Sequence, residues 1–143
     1  MATVVTNDGL AICAGALKNS SPAASPQYIG WAATDNTAAI TDEYLEDGAN
    51  AHVEVALDLS STSGTRVTVT TSETTTTSQT DDTYRAIGTL TASGSGTVYQ
   101  AGLFNNSTIR HATSSFIIGN FTGIPLVSSD SIEFTFTCQF TNT

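Results

Sequence analysis

The spacing of hydrophobic positions changes once along this chain, near Pro26. Before that point Leu10, Ala14 and Leu17 recur at i, i+4 and i+7, and Ile12 and Cys13 widen the stripe, which is the spacing of an amphipathic helix. Thr6-Asn7-Asp8 offers capping side chains, and Lys18 falls in the last turn, where a cation suits the negative helix end. Asn19-Ser20-Ser21-Pro22 then stops the pattern. One helix over 7–18 is predicted, with Gly9 and Gly15 each costing roughly a kcal/mol against Ala and with Cys13 on the buried face.

Beyond Pro26 the period becomes two. Gln27-Tyr28-Ile29-Gly30-Trp31 reads as a strand, followed by a polar loop over 34–39 and a capped single turn at Thr41-Asp42-Glu43-Tyr44-Leu45. From His52 to Leu59, Val53, Val55, Leu57 and Leu59 point one way and His52, Glu54, Ala56 and Asp58 the other. Arg66 to Thr71 forms the next strand, and the Thr74–Thr77 run is either an exposed edge strand or a loop. Tyr84–Ala92 and Thr97–Phe104 flank Ser93-Gly94-Ser95-Gly96, which carries the glycines of a hairpin turn. Thr108–Ala112 and Ser115–Ile118 read as short extended pieces. The clearest alternation comes last, with Ile132, Phe134, Phe136, Cys138 and Phe140 on one face and Ser131, Glu133, Thr135, Thr137, Gln139 and Thr141 on the other.

About eight strands with turns every 8–12 residues, preceded by one helix, predict a mainly β fold. The expected architecture is a single antiparallel β-sandwich, jelly-roll-like, over 26–141, in one domain covering 1–143. Composition agrees. The 143 residues include 26 Thr and 16 Ser, and charged residues make up only 12%, about half the usual share. Thr is β-branched and suits solvent-facing strand positions. Mean hydropathy of +0.01 with so few charges argues against wholesale disorder.

Charge narrows the function. Lys18, Arg66, Arg85 and Arg110 are the only basic side chains against thirteen acids, for a net charge of −9. Nucleic-acid binding needs clustered cations to neutralise phosphates, so that class is excluded. No apolar stretch approaches the ~20 residues of a membrane span, and Met1-Ala2-Thr3-Val4-Val5 lacks the basic and apolar segments of a secretory signal. With no export expected, the Asn-x-Ser/Thr triplets at Asn19, Asn105, Asn106 and Asn120 read as by-products of the Thr/Ser content. Cys13 and Cys138 are expected as reduced, buried thiols, although spacing alone leaves a disulfide between them open.

Candidate chemistry is sparse. His52 and His111, the only histidines, sit on expected strands without a Cys or His at ligand spacing, and read as polar surface or rim residues. Asp42, Glu43, Glu46 and Asp47 cluster, but do not match a twelve-residue Ca²⁺ loop; a solvated helical turn without an ion is expected. Glycoside chemistry would need a cleft between paired carboxylates, and a carbohydrate-binding sandwich would need exposed coplanar aromatics. Trp31, Tyr44, Tyr84 and Tyr99 do not show that spacing, and Trp31 is expected in the core or at a subunit contact. There is no nucleophile elbow and no phosphate-binding loop. The expectation is therefore no enzyme, no catalytic, cofactor or metal site, and no cofactor.

In order, the segments resemble small virion proteins of tailed bacteriophages. A short helix (Gly9–Leu17) precedes a Tyr-Ile-Gly strand at Tyr28-Ile29-Gly30-Trp31, and a Thr/Ala-rich loop that ends in an acidic turn then covers Asp35–Leu45. Next come a strand ending in Gly102-Leu103-Phe104-Asn105, an Arg-bearing piece at Ile109-Arg110, and a closing Asp-Ser-hydrophobic strand at Asp130–Thr137. Such proteins commonly carry an Arg after the acidic turn, where this chain has Asn50-Ala51-His52. The resemblance implies a capsid decoration, or cement, protein. It would be made in the host cytoplasm and bound as a homotrimer to the major capsid protein lattice on the head exterior, with no nucleic-acid or membrane partner. A tail, baseplate or fibre component is the alternative, and a carbohydrate-binding module the second.

Overall fold

The structure, a computed structural model, describes residues 2–18, 25–75, 82–111 and 114–140. It is an antiparallel β-sandwich with one short helix. β1 (Ala2–Val5) leads into α1 (Asn7–Lys18), and β2 (Tyr28–Ala32), β3 (Glu54–Val55), β4 (Val67–Thr68) and β5 (Thr70–Thr74) follow. The longer strands come last: β6 (Thr83–Thr91), β7 (Gly96–Phe104), β8 (Ser115–Leu126) and β9 (Ser131–Gln139). The large sheet has the order β1-β8-β7-β2-β3, with β4 also pairing β2, and the small sheet has the order β5-β6-β9.

Two hydrophobic layers result, because the large sheet is covered on both faces. Between the sheets lie Ile29, Trp31, Leu90, Val98, Leu103, Ile117 and Phe136. On the far side of the large sheet Ala32, Phe104 and Ile118 pack under Ala38 and Leu45 of the loop that joins β2 to β3. Trp31 is a core residue, and its indole N–H donates to Ala56 O at 3.2 Å.

α1 has the bounds read from the sequence, with Thr6 as its cap: the Gly9 amide donates to Thr6 Oγ1 at 3.0 Å. Its buried face is only one side of the stripe expected, the side of Ile12 and Cys13. Gly9, Ile12 and Cys13 turn inward and Ala16 lines the cleft beside them, whereas Leu10 and Ala14 are exposed. Gly9 decides the rotation, since a Cβ there would collide with Phe116 O on β8. Both thiols are half-buried rather than fully buried.

Several expectations fail where pairing is non-local. β6 and β7 are not a hairpin, since β6 pairs β5 and β9 while β7 pairs β2 and β8. The Ser93–Gly96 turn carries the chain from one sheet to the other. The amides that lead into it bond elsewhere, Ala92 N to Asp130 O at 2.8 Å and Ser93 N to Leu57 O at 2.8 Å, and a Cβ at Gly94 would strike Asp58 O. Thr41–Leu45 forms no helical turn. The strand expected over 52–59 shrinks to β3, because Asp58 accepts from the Ser60 and Ser61 amides and bends the chain. The strand expected over 66–71 breaks at Val69, where β4 leaves the large sheet and β5 enters the small one. The Thr74–Thr77 run begins inside β5, an edge strand; 76–81 lies outside the described residues. Of the piece expected over 108–112, Thr108 makes a single bridge to Thr65, Ile109 and Arg110 turn, and Ala112 lies outside the described residues; β8 is one long strand. Phe140 lies just past β9 and is 58% exposed, not in the core. β1 has no counterpart in the sequence reading.

Candidate functional site

Three of the segments that carry the resemblance, Tyr28–Trp31, Gly102–Asn105 and Ile109-Arg110, meet at one place at the large sheet, whereas the closing strand lies apart in the small sheet as β9. Gly30 on β2 and Gly102 on β7 are register partners. A Cβ at Gly30 would collide with Glu54 Oε1, and one at Gly102 would come 2.6 Å from Phe104 Cζ. The two glycines therefore clear the space in which Glu54 and the Phe104 ring lie.

Glu54, 0% exposed, grips Arg66, 5% exposed, in a two-pronged pair: Nε to Oε1 at 2.6 Å and Nη2 to Oε2 at 2.7 Å. The Arg66 guanidinium stacks on Phe104, 3.5 Å from the ring centroid. Its remaining nitrogen, Nη1, donates to Asn106 O at 2.9 Å and Ser114 Oγ at 3.1 Å. Arg110 closes the far side. Its backbone amide donates to Glu54 Oε2 at 3.0 Å and its Nε to Glu54 O at 3.2 Å. Arg110 holds φ of 61°, a left-handed conformation uncommon for a side-chain-bearing residue, and the hydrogen bond from its N–H to the Glu54 carboxylate supports it there.

His52 borders this node. Its ring lies tilted against that of Tyr44 with centroids 3.8 Å apart, and its Nε2 is buried without a hydrogen-bond partner, 3.8 Å from Glu54 Oε2. Burial first, then the charges of Arg110 and Arg66, hold its pKa down at about 4. It is thus a neutral, half-buried ring rather than a rim residue, whereas His111 is exposed.

The acidic cluster is also not a solvated turn. Asp42 and Glu46 are buried, Asp42 Oδ2 accepts from the Ala39 amide at 2.8 Å, and Ser115 Oγ donates to Asp42 O at 3.0 Å. Burial, then Asp42 beside it, pushes the Glu46 carboxyl up. Asp47 accepts from the Ala49 and Ala51 amides and shapes its own loop. Among the described residues no three His, Cys, Asp or Glu side chains gather at metal-binding geometry. The aromatics are engaged as well: the Tyr84 hydroxyl donates to Pro26 O and its ring meets Phe116 edge-on, while Tyr99 packs over Gly123.

The thiols come from opposite ends of the chain to one region. Cys13 lines a cleft of about 350 Å³ with Ile12, Tyr84, Phe116 and Phe140, and Cys138 is the register partner of Tyr84. Burial raises both thiol pKa values. A second cleft, about 360 Å³, opens between β9 and the floor of the large sheet.

Sequence reasoning missed Glu54 and Arg66 as partners. The available signal was a carboxylate on a strand beside two strand glycines, since a strand glycine marks a place that something approaches closely. The sequence matches no protein-family model, no curated protein and no solved structure.

Proposed function

We propose that this chain is a virion structural protein of a tailed bacteriophage, a cement protein that binds the head exterior as a homotrimer and stabilises the shell. The reading rests on the resemblance, and one observation carries it furthest. Apolar side chains stand uncovered on a surface otherwise rich in hydroxyls: Leu10 is 60% exposed and Ile40, Val127 and Phe140 are each 58% exposed. Ile40 stands at the start of α1, where its carbonyl oxygen accepts from the Asn7 amide at 2.8 Å. Uncovered apolar groups beside a rigid interior suit a protein that acts by being bound. Shell subunits meeting at a three-fold site would present a composite surface, and a trimer seated there would hold them together.

The test is a particle lacking the protein. It should assemble and package DNA, yet lose its genome sooner on heating. Added pure protein should restore resistance in proportion to concentration, saturating when the sites fill, because a ligand of the assembled shell alone stabilises it by mass action. Electron microscopy of the restored particles should place the density on the head. Depleted heads as heat-stable as complete ones, on particles that cannot attach to cells, would instead support the tail reading.

A further inference from the structure

The small sheet stops at β9, and among the described residues no strand lies on its other side. Beneath that free edge the large sheet continues through β8 to β1. Phe134, Thr135, Phe136 and Thr137 all line the cleft there, so residues of both parities border it. Side chains of a strand point alternately to its two faces; a border of both parities is therefore the strand's edge, not one of its faces. The floor is a row of small residues in register, Ala101 on β7, Gly119 on β8 and Thr3 on β1. Phe121 forms one wall and reaches Phe134 with ring centroids 6.0 Å apart.

We propose that this cleft seats an added β-strand, an extended segment of a different polypeptide that pairs with β9, places alternate apolar side chains over Gly119, and sets a Lys or Arg opposite Glu133. Three observations support it. The other edge strands are short, with β1 of 4 residues, β5 of 5, and β3 and β4 of 2 each, whereas β9 has 9. β9 also carries no Pro, Lys or bulge, its nine register pairs with β6 being unbroken, so a single carboxylate, Glu133, is its one edge protection. The third is charge. Glu133 is the only charged residue in β9, its cross-strand partner is Thr89, and it has no ion pair among the described residues. An opposite charge directly across a strand pair is favourable and a like charge unfavourable.

A second copy does not fit this seat. Another sandwich continuing the small sheet would bring its own large sheet to where β8 and β1 already lie. A strand with nothing beneath it fits, and main-chain pairing with alternate pockets is an established way for an edge to bind a peptide. The inference rests on the adhesive reading only for the source of the strand, an arm of the structure the protein is bound to.

The probe is a nine-residue peptide with Val at alternate positions and Lys at the centre of the other face, compared with the same peptide carrying Glu for Lys. At millimolar concentration the Lys peptide should slow exchange of those alternate amides within 131–138 that point away from β6 at least tenfold, leaving β5 unchanged. By fluorescence anisotropy it should bind at least tenfold tighter than the Glu peptide. E133K, a change at an exposed position, should reverse that preference, and Thr3→Trp, which fills the floor, should weaken both peptides. Unaltered exchange in β9, equal affinity of both peptides for both proteins, or β9 already protected in a self-associated protein would overturn the inference. Failure of heat protection with peptide binding intact would instead remove the cement reading and leave this one standing.

Discussion

Glu54→Leu tests the buried node directly. The wild-type carboxylate accepts three hydrogen bonds, two from Arg66 and one from the Arg110 amide. Bonds to charged groups contribute roughly 1.5–3 kcal/mol each, but the sum overstates the loss, because Arg66 keeps Asn106 O, Ser114 Oγ and the Phe104 face. What remains is a guanidinium on a fully buried side chain without its counter-charge, for which a loss of about 3–5 kcal/mol is expected. That is a large part of the roughly 5–15 kcal/mol of a typical domain. Urea titration followed by tryptophan fluorescence reads it, since Trp31 lies in the core. The double variant Glu54→Leu/Arg66→Met should recover at least half the loss, because replacing both partners leaves no buried charge. A single-variant cost under about 1 kcal/mol, or a double variant no better than the single, would refute the reasoning.

Phe136→Ala should cost about 3–5 kcal/mol, whereas Phe140→Ala, at 58% exposure, should cost under about 1 kcal/mol; chemical denaturation of the two variants compares them. His52 gives a pH window. Its folded pKa of about 4 lies below the ordinary 6.5, so the unfolded chain takes up a proton first as pH falls. Its contribution is fully present above pH 6.5, falls through the interval down to about 4, and is level below that. About 2 kcal/mol should be lost over the interval once the ring's partial contact with solvent is allowed for. Stability curves between pH 7 and 4.5 should be flatter for His52→Gln, and parallel curves would contradict the assignment.

The sequence was legible where structure is local. The bounds of α1, the alternation in β9 and the burial of Trp31 depend on neighbouring residues, and capping and periodicity report them. Alternation also sorted the side chains of β3 into two faces, but it could not say that both faces are covered; hence His52, on the face of Glu54, was expected at the surface or rim. The register of Ser93–Gly96 was misread for the same reason. Glycines show that a backbone must turn tightly, while the groups that receive its amides, Leu57 O and Asp130 O, are remote in the sequence. The face that α1 buries was set by Gly9 meeting Phe116 O on β8, which helix periodicity does not contain. The residues of the node were on view as motifs, yet Arg66 and Glu54 become a pair only when β4 and β3 both line up on the same edge of β2.

The passage of the chain between sheets at Val69, at Ser93–Gly96 and again between β8 and β9 governs how the protein comes to be folded. No contiguous stretch of sequence contains a complete sheet. β2 must wait for β7, and β6 for β9, before either layer has a centre. Loop closure must therefore precede most of the stabilising contacts, which places the chain among slow folders of high contact order. It also makes unfolding all-or-none, since neither layer can persist without the other. A nick in the Ser93–Gly96 crossing would not release two stable halves, and a chain shortened before β9 would leave β6 with β5 as its only neighbour.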